Sequence, residues 1–268
     1  MIFILMKGKY ILKEKKDKPV VFRLLIYLIR LFYPEMEVVG MEKLPDEPCI
    51  IVGNHAQIHG PVACELYFPD WFYTWCAAPM MKLLEVPSYA YRDFWSQKPG
   101  YLRPLFKIAS YLIAPLSVLI FNNARTVAVY RDSRIMRTFR ETVSKLQNGN
   151  NIVIFPEQDK KHNNIVYEFQ NGFVDIARFY YKRTGRELCF VPVYIAPGLK
   201  KMCFGDYIKF SADAQTDAER IRISGYLMDS ITRIARNLPE HTVVPYRNIS
   251  KRLYPKNTEE ADYENTGC

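Results

Sequence analysis

Residues 49–61, C-I-I-V-G-N-H-A-Q-I-H-G-P, decide which fold the sequence predicts. The apolar residues of this stretch run up to Gly53, and Asn54 and His55 follow directly. A short apolar run that ends at a turn residue is typical of a buried strand. Because ligands in open α/β sheets collect at the carboxyl ends of strands, His55 is the first candidate for a catalytic residue.

A histidine at this position has two readings. A neutral imidazole near pH 7 accepts a proton from an attacking hydroxyl, whereas a structural histidine simply bonds a backbone carbonyl. His59 stands four positions after His55, which is the spacing of a zinc-protease helix. That motif needs a glutamate directly after its first histidine, where Ala56 stands, and Gly60 and Pro61 make a poor helix. We therefore predict no metal site.

Composition predicts a globular protein with an anionic partner. The chain has 268 residues, 49% of them hydrophobic and 24% charged. Its 37 Lys and Arg against 28 Asp and Glu suit nucleic acid, phospholipid head groups or phosphorylated substrates. Six cysteines without a Cys-x-x-Cys pair predict reduced core residues in a cytoplasmic protein. Residues 1–18 lack the charge order of a secretory signal.

Two apolar stretches are candidates for membrane contact. Residues 20–33 are too short to span a bilayer, which needs about 20 apolar residues, and they contain Arg23 and Arg30. We predict an interfacial helix with upstream lysines near anionic head groups; a core helix is the alternative. Residues 101–121 predict either a re-entrant or membrane-resting hairpin or a buried helix pair. Nucleic acid is disfavoured, because the N-terminal lysines lack interleaved stacking aromatics.

Three later blocks also fall beside predicted strands. T-V-A-V-Y-R ends in Arg131, whose guanidinium fork suits phosphate, although a surface salt bridge is the alternative and Arg134 and Arg137 are nearby choices. F-P-E occupies residues 155–157, and its phenylalanine is the last residue of the predicted strand 152–155. V-P-V occupies residues 191–193 within a third apolar run. A helix is predicted from residue 216, where T-D-A-E reads as a capping box.

In this order and at these separations, the four blocks resemble those of the glycerolipid acyltransferase family, the bacterial 1-acylglycerol-3-phosphate acyltransferases and their relatives. The resemblance implies His55 as general base and Arg131 as phosphate clamp. It implies acceptor binding by Phe155, Pro156 and Glu157, and a donor side that contains Val191, Pro192 and Val193.

The sequence departs from the family pattern at two of these blocks. The family places an aspartate five positions after the histidine, and Gly60 stands there. The third family block reads F-P-E-G-T-R-S, whereas Gln158 and Lys160 replace its glycine and arginine. Candidates to support His55 instead are His59, Glu65, Asp93 and Glu157. The chain is also similar to bacterial members that share N-H-A-Q, which indicates a subgroup lacking the aspartate.

The predicted fold is α/β, with a mixed, mostly parallel central sheet flanked by helices and an N-terminal interfacial helix. We divide the chain into a membrane-association segment (residues 1–40), an acyltransferase-like domain (41–253) and a polar, disordered tail (254–268).

The resemblance implies an O-acyltransferase that moves a fatty acyl group to a lysophospholipid or glycerol-phosphate hydroxyl. The donor would be an acyl-carrier-protein thioester, a coenzyme A thioester or an acyl phosphate, with no cofactor. Partners would be an anionic membrane surface and acyl carrier protein, at the cytoplasmic face of the membrane. The altered blocks leave two alternatives, a lipid-binding protein that no longer catalyses and an enzyme for an acceptor without phosphate.

Overall fold

The computed structural model describes residues 18–68, 71–95 and 99–259. The strands are β1 (Glu37–Val39), β2 (Ile50–Gly53), β3 (Phe72–Ala77), β4 (Thr126–Val129), β5 (Asn151–Ile154), β6 (Glu157–Lys161), β7 (Tyr167–Phe169), β8 (Cys189–Ala196), β9 (Lys201–Phe204) and β10 (Ile208–Lys209). The helices are α1 (Val20–Phe32), α2 (His59–Tyr67), α3 (Val86–Ala90), α4 (Arg103–Asn123), α5 (Ile135–Gln147), α6 (Asp175–Thr184) and α7 (Thr216–Arg236).

The central sheet is mixed and mostly parallel, as predicted. Its strand order is β1-β9-β8-β2-β5-β3-β4, with β10 added beside β8. Strand β2 runs parallel to β5 and β8, and β3 runs parallel to β5 and β4. Strand β9 is antiparallel to β8. The carboxyl ends of β2, β5, β3 and β4 therefore meet at one edge of the sheet, and β6 and β7 form a separate hairpin beyond β5.

The interior strands are buried on both faces, which is why they read as continuous apolar runs. Alternate residues of β2 belong to different core clusters: Ile50 and Val52 pack on one face with α5, α6 and α7, and Ile51 packs on the other. The same alternation holds in β5, where Ile152 and Val153 face opposite ways. These two cores fix the sheet on which the loops of the site are built.

Helix α4 corrects the prediction for residues 101–121. It is one continuous helix with Pro115 inside it, so both the hairpin and the buried helix pair are wrong. Pro115 lies on the exposed face of the helix. A proline has no N–H to donate to the carbonyl four residues before it, but on an exposed face water can bind that carbonyl instead. Residues Gly100–Asn123 are long and apolar enough to cross a membrane by length and composition alone.

Helix α1 exposes most of its apolar side chains. Phe22 is its one buried residue, so the alternative of a core helix is wrong. The helix packs beside α4. Its exposed apolar residues include Val20, Leu24, Leu31 and Phe32, and its place at a membrane stays a prediction. The predicted lysine-rich residues 1–17 lie outside the described residues.

Residues 239–259 form a segment that we call the C-terminal strap. Asn257 is fully buried and donates to the carbonyls of Ala235 and Leu238, at 2.8 and 3.2 Å. A β-bridge joins Thr242 to Lys256. The predicted disordered tail therefore starts too early, because Asn257 is buried against the core; residues 260–268 lie outside the described residues.

Helix α7 begins at residue 216, as predicted, but its N-terminal cap differs from the prediction. Its N-cap is Gln215, whose side chain accepts from the Ala218 N–H, one residue before the predicted capping box. The Glu219 carboxylate accepts from the Ser211 N–H at 2.7 Å and pairs with Arg222. Glu219, the glutamate of the predicted capping box, therefore bonds a neighbouring loop and does not cap the helix.

Candidate active site

Asn54 fixes the point at which the chain leaves β2. Its buried side chain bonds the backbone of Ile195 in β8 twice, donating to the carbonyl at 3.0 Å and accepting from the N–H at 2.7 Å. These two hydrogen bonds join β2 to β8 just beyond their paired residues. Asn54 therefore sets the position of His55 through the backbone.

The turn after His55 is strained. Ala56 and Gln57 have φ of 45° and 55°, in the left-handed region that disfavours side chains. Such residues cost about 1–3 kcal/mol each and concentrate at functional sites. The N–H groups of His59 and Gly60 close the turn, each with a 3.0 Å hydrogen bond to a carbonyl that precedes it. The turn that holds His55 at the end of β2 therefore lowers the stability of the fold.

The position of the missing aspartate is filled. A Cβ on Gly60 would lie 2.7 Å from the His55 carbonyl oxygen and 2.9 Å from Cε1 of Phe155. The Phe155 ring in turn meets the His55 ring edge-on, with 5.4 Å between centroids. Phenylalanine therefore occupies the space beside the histidine, and no side chain at residue 60 fits without movement.

Glu157 binds the backbone of the His55 loop. Its Oε2 accepts from the His55 N–H at 2.5 Å and its Oε1 from the Tyr167 N–H at 2.9 Å. Burial raises the pKa of the Glu157 carboxyl to about 7, and the two N–H donors oppose that shift. Both oxygens are thus used to join β7 to the His55 loop. The structure places Glu157 behind the histidine backbone, away from a role as ring partner.

The His55 ring lies among aromatic rings and carbonyls. Tyr246 of the C-terminal strap meets it edge-on at 5.9 Å between centroids. Burial lowers the pKa of His55, and hydrogen bonding of the ring to the backbone carbonyls of Gln57 and His55 partly opposes this. No carboxylate of the described residues bonds the ring. The imidazole is therefore neutral at pH 7, with backbone oxygen as its acceptor.

Arg131 lies two residues after the end of β4, at the same sheet edge as His55. Its side chain is exposed and makes no hydrogen bond or ion pair with a residue that the structure describes. Arg134 is different, because Asp132 accepts from it at 2.5 to 3.1 Å. The Arg134 and Arg137 guanidiniums lie over the Tyr130 ring, at 4.6 and 5.8 Å from its centroid. Arg131 is thus the arginine of this loop that is available to an anion.

Two of the predicted supports of His55 are engaged elsewhere. The His59 ring Nδ1 lies 3.1 Å from the Tyr33 hydroxyl, which ties α2 to the end of α1. Glu65 pairs with Lys18 at 3.0 Å and with Arg125 at 3.4 Å. Neither side chain contacts the His55 ring in the described part of the chain, so we do not keep them as its partners.

Asp93 lies at the rim of the site. It accepts a hydrogen bond from Tyr89, and this bond, with burial as the larger cause, raises the pKa of Tyr89. The charge of Arg131 opposes that rise, which places the guanidinium near the pair. Asp93 also contacts Arg92 at 3.3 Å. Its carboxylate therefore lies on the Arg131 side of the site.

The altered residues of the third block form a surface cluster. Gln158 donates to Glu168 at 3.4 Å, and Lys160 pairs with the same carboxylate at 2.7 Å. The lysine that replaces the family arginine is therefore already neutralised. Among the described residues, no group of three or more His, Cys, Asp or Glu side chains is arranged to hold a metal ion.

The V-P-V block lies inside the sheet. Val191, Pro192 and Val193 are buried in β8 and pair with Ile51, Val52 and Gly53. An interior strand tolerates Pro192 because its ring faces the end of β9, where Gly205 leaves room: a Cβ there would lie 2.9 Å from Pro192 Cγ. These residues form the floor under the His55 loop.

Tyr246 was missed by the sequence analysis. It follows a short V-V-P run after the last helix, with no periodicity to distinguish it from a loop. Its ring also lies 5.7 Å from that of Tyr167. Only the return of the C-terminal strap across the sheet edge brings it to His55, and no local pattern encodes that return.

Comparison with known proteins supplies the following matches. A family model described as Acyltransferase matches residues 35–197. No curated protein matches the chain. Among solved structures, the chain is similar to the 1-acyl-sn-glycerophosphate (LPA) acyltransferase of Thermotoga maritima, with a TM-score of 0.47 and 15% identity, covering 88% of this chain and 89% of that one.

Proposed function

The chain belongs to the acyltransferase family, and we propose that it transfers a fatty acyl group to the hydroxyl of a lysophospholipid or glycerol-phosphate acceptor. The observation that carries the proposal is the presence, at one sheet edge, of a neutral, carbonyl-supported His55 and of Arg131, whose guanidinium pairs with none of the described residues. Strands β2 and β4 are three strand spacings apart, about 14 Å. A glycerol phosphate together with an extended arginine side chain covers such a span.

In the proposed reaction, His55 accepts the proton of the acceptor hydroxyl as that oxygen attacks the acyl carbonyl carbon. The new C–O bond forms a tetrahedral intermediate, and its collapse breaks the C–S bond of a thioester donor. The imidazolium then returns the proton to the leaving thiolate. Because no carboxylate of the described residues bonds the His55 ring, we assign the orientation of the ring to its hydrogen bond with the backbone carbonyl of Gln57.

The donor we propose is an acyl-carrier-protein thioester, a coenzyme A thioester or an acyl phosphate, with no cofactor. Arg131 would bind the acceptor phosphate through its guanidinium fork. Phe155 and Glu157 would shape the site by supporting the His55 loop, and the buried V-P-V residues would act from below.

We further propose that the protein works on an anionic membrane, at its cytoplasmic face. Support comes from the exposed apolar residues of α1 and from those of α4, which packs beside it. The α4 residues are Leu105, Ile108, Tyr111, Leu112 and Leu116. Such a surface inserts into the interface of a bilayer, while basic residues attract the head groups.

The test is acyl transfer by purified protein to lysophosphatidic acid. His55→Ala is expected to lower kcat by about 10²–10⁴-fold, the range for loss of a general base. His162→Ala is the matched control, because that ring lies on the surface beside Asp229. Full activity of His55→Ala would remove the mechanism.

The filled position beside Gly60 also favours a second candidate, a lipid-binding protein without turnover. Binding of lysophosphatidic acid with no product from any of the donor classes would select it. The neutralised Lys160 favours an acceptor without phosphate. Equal rates with lysophosphatidic acid and monoacylglycerol would select that form of the enzyme.

A further inference from the structure

Tyr246 enters the site from outside the matched part of the chain. The family model ends at residue 197, whereas Tyr246 belongs to the C-terminal strap. Its ring contacts His55 on one side and Tyr167 on the other, at 5.9 and 5.7 Å between centroids. It therefore covers the histidine with a residue that the four sequence blocks do not contain.

Contacts made by the residues that follow Tyr246 hold the C-terminal strap in place. The guanidinium of Arg247 pairs with Asp159, with 2.9 Å between Nη2 and Oδ2. The Gln57 side-chain amide donates to the Arg247 carbonyl at 3.3 Å and to the Tyr254 hydroxyl at 2.7 Å. The strained turn after His55 and the strap thus hold each other, and the tyrosine between them has a fixed position.

The Tyr246 hydroxyl is free to bind a ligand. It makes no hydrogen bond to any residue that the structure describes, although the side chain is partly buried. Burial raises the pKa of Tyr246; the Arg131 charge opposes this, and the carboxylates of Glu157, Asp93 and Asp159 reinforce it. The phenol is therefore protonated at neutral pH, and its O–H group can donate a hydrogen bond to an anion.

We propose that Tyr246 positions the acceptor: its hydroxyl donates to the phosphate that the guanidinium of Arg131 binds, and its ring covers His55. This inference rests on the proposed function and assigns to the same site a second phosphate contact. The phosphate is bound from two sides, by an arginine at the end of β4 and a tyrosine of the C-terminal strap. Hydrogen bonds to charged groups are the stronger ones, so loss of this hydroxyl weakens phosphate binding about tenfold.

The test is equilibrium binding of two probes in detergent micelles, 1-acylglycerol 3-phosphate and the monoacylglycerol that lacks the phosphate. Tyr246→Phe is expected to weaken binding of the first about tenfold and to leave the second unchanged. In an Arg131→Gln background, the loss caused by Tyr246→Phe becomes smaller, because the two groups hold one phosphate. Tyr207→Phe, at an exposed tyrosine of another loop, controls for loss of a hydroxyl.

Wild-type affinity of Tyr246→Phe for both probes, an equal loss for both, or a wild-type protein indifferent to the phosphate would each overturn the inference. Acyl transfer is measured in parallel. A wild-type protein that binds with the expected selectivity but forms no product would sink the proposed function and leave the inference standing. If the wild-type protein transfers acyl groups and Tyr246→Phe binds both probes with wild-type affinity, the proposed function stands and the inference is wrong.

Discussion

Gly60 explains at the scale of one residue how the site dispenses with a carboxylate. The space beside the His55 ring is taken by Phe155, and the backbone of the turn comes within 2.7 Å of where a Cβ would stand. The glycine is therefore required by packing in this protein. Glycine at residue 60 leaves room for the Phe155 ring, and the imidazole of His55 then bonds backbone carbonyl oxygen in place of a carboxylate.

Alanine at two helical glycines tests this packing. Gly60→Ala is expected to lower the free energy of unfolding by about 1–3 kcal/mol, because the added methyl group has no room. Gly225→Ala, in the middle of α7 with nothing within 4 Å of the added Cβ, is expected to raise it by up to about 1 kcal/mol. Urea unfolding of both variants provides the measurement. Similar effects of the same sign would show that the space beside His55 is not filled.

Glu157 gives the protein a pH-dependent stability. Its pKa is about 7 in the folded protein and near its usual value when unfolded, so the folded state binds more protons between these values. The contribution of Glu157 is therefore most favourable below pH 4.5 and is lost as the pH rises through 7, by about 3 kcal/mol. In Glu157→Gln this slope disappears. Unfolding curves from pH 4.5 to 8 test it, and parallel profiles for the two proteins would contradict the assignment.

At the scale of elements, the C-terminal strap connects the last helix to the His55 turn. Asn257 anchors it, since its side chain also accepts from the His241 N–H at 2.8 Å. The Tyr194 hydroxyl meets the other side of His241, at 2.8 Å from Nε2. The strap is thus anchored in the folded core, and it places Tyr246 beside His55.

Removal of the Asn257 side chain should release the C-terminal strap. Asn257→Ala leaves buried backbone groups without partners and is expected to cost about 2 kcal/mol of unfolding free energy. Amides of residues 241–257 should exchange with deuterium faster, and acyl transfer should fall. Asn148→Ala, at an exposed asparagine, is the control. Unchanged exchange in the strap would show that Asn257 does not anchor it.

The sequence predicted elements well where local patterns decide them. The buried runs of β2, β5 and β8 follow from their apolar sequence, and the four blocks beside them were identified by their resemblance to the family. It failed at α4, where Pro115 suggested a break that an exposed helix face tolerates. It also failed at the C-terminal strap and at the partner of His55, because long-range packing and a left-handed turn have no local signature.

At the scale of the whole molecule, α1 and α4 present apolar side chains on a protein that is basic overall. We expect binding to anionic vesicles that weakens with salt. The double change Leu24→Glu and Leu31→Glu removes two exposed leucines, each worth about 1.5 kcal/mol or more when buried, and should lower vesicle affinity at least about 100-fold. Ile221→Glu, on the exposed face of α7, is the control. Equal sedimentation of all three proteins with vesicles would exclude α1 as the contact.

The central claim is that His55 acts as a base without a carboxylate partner. It is tested most directly by the pH dependence of kcat/KM for acyl transfer to lysophosphatidic acid between pH 5 and 8. Because burial lowers the pKa of His55, the account predicts a single rise with its midpoint below 6.5 and a plateau above it. A midpoint above 7, as a carboxylate beside the imidazole would produce, would contradict the account.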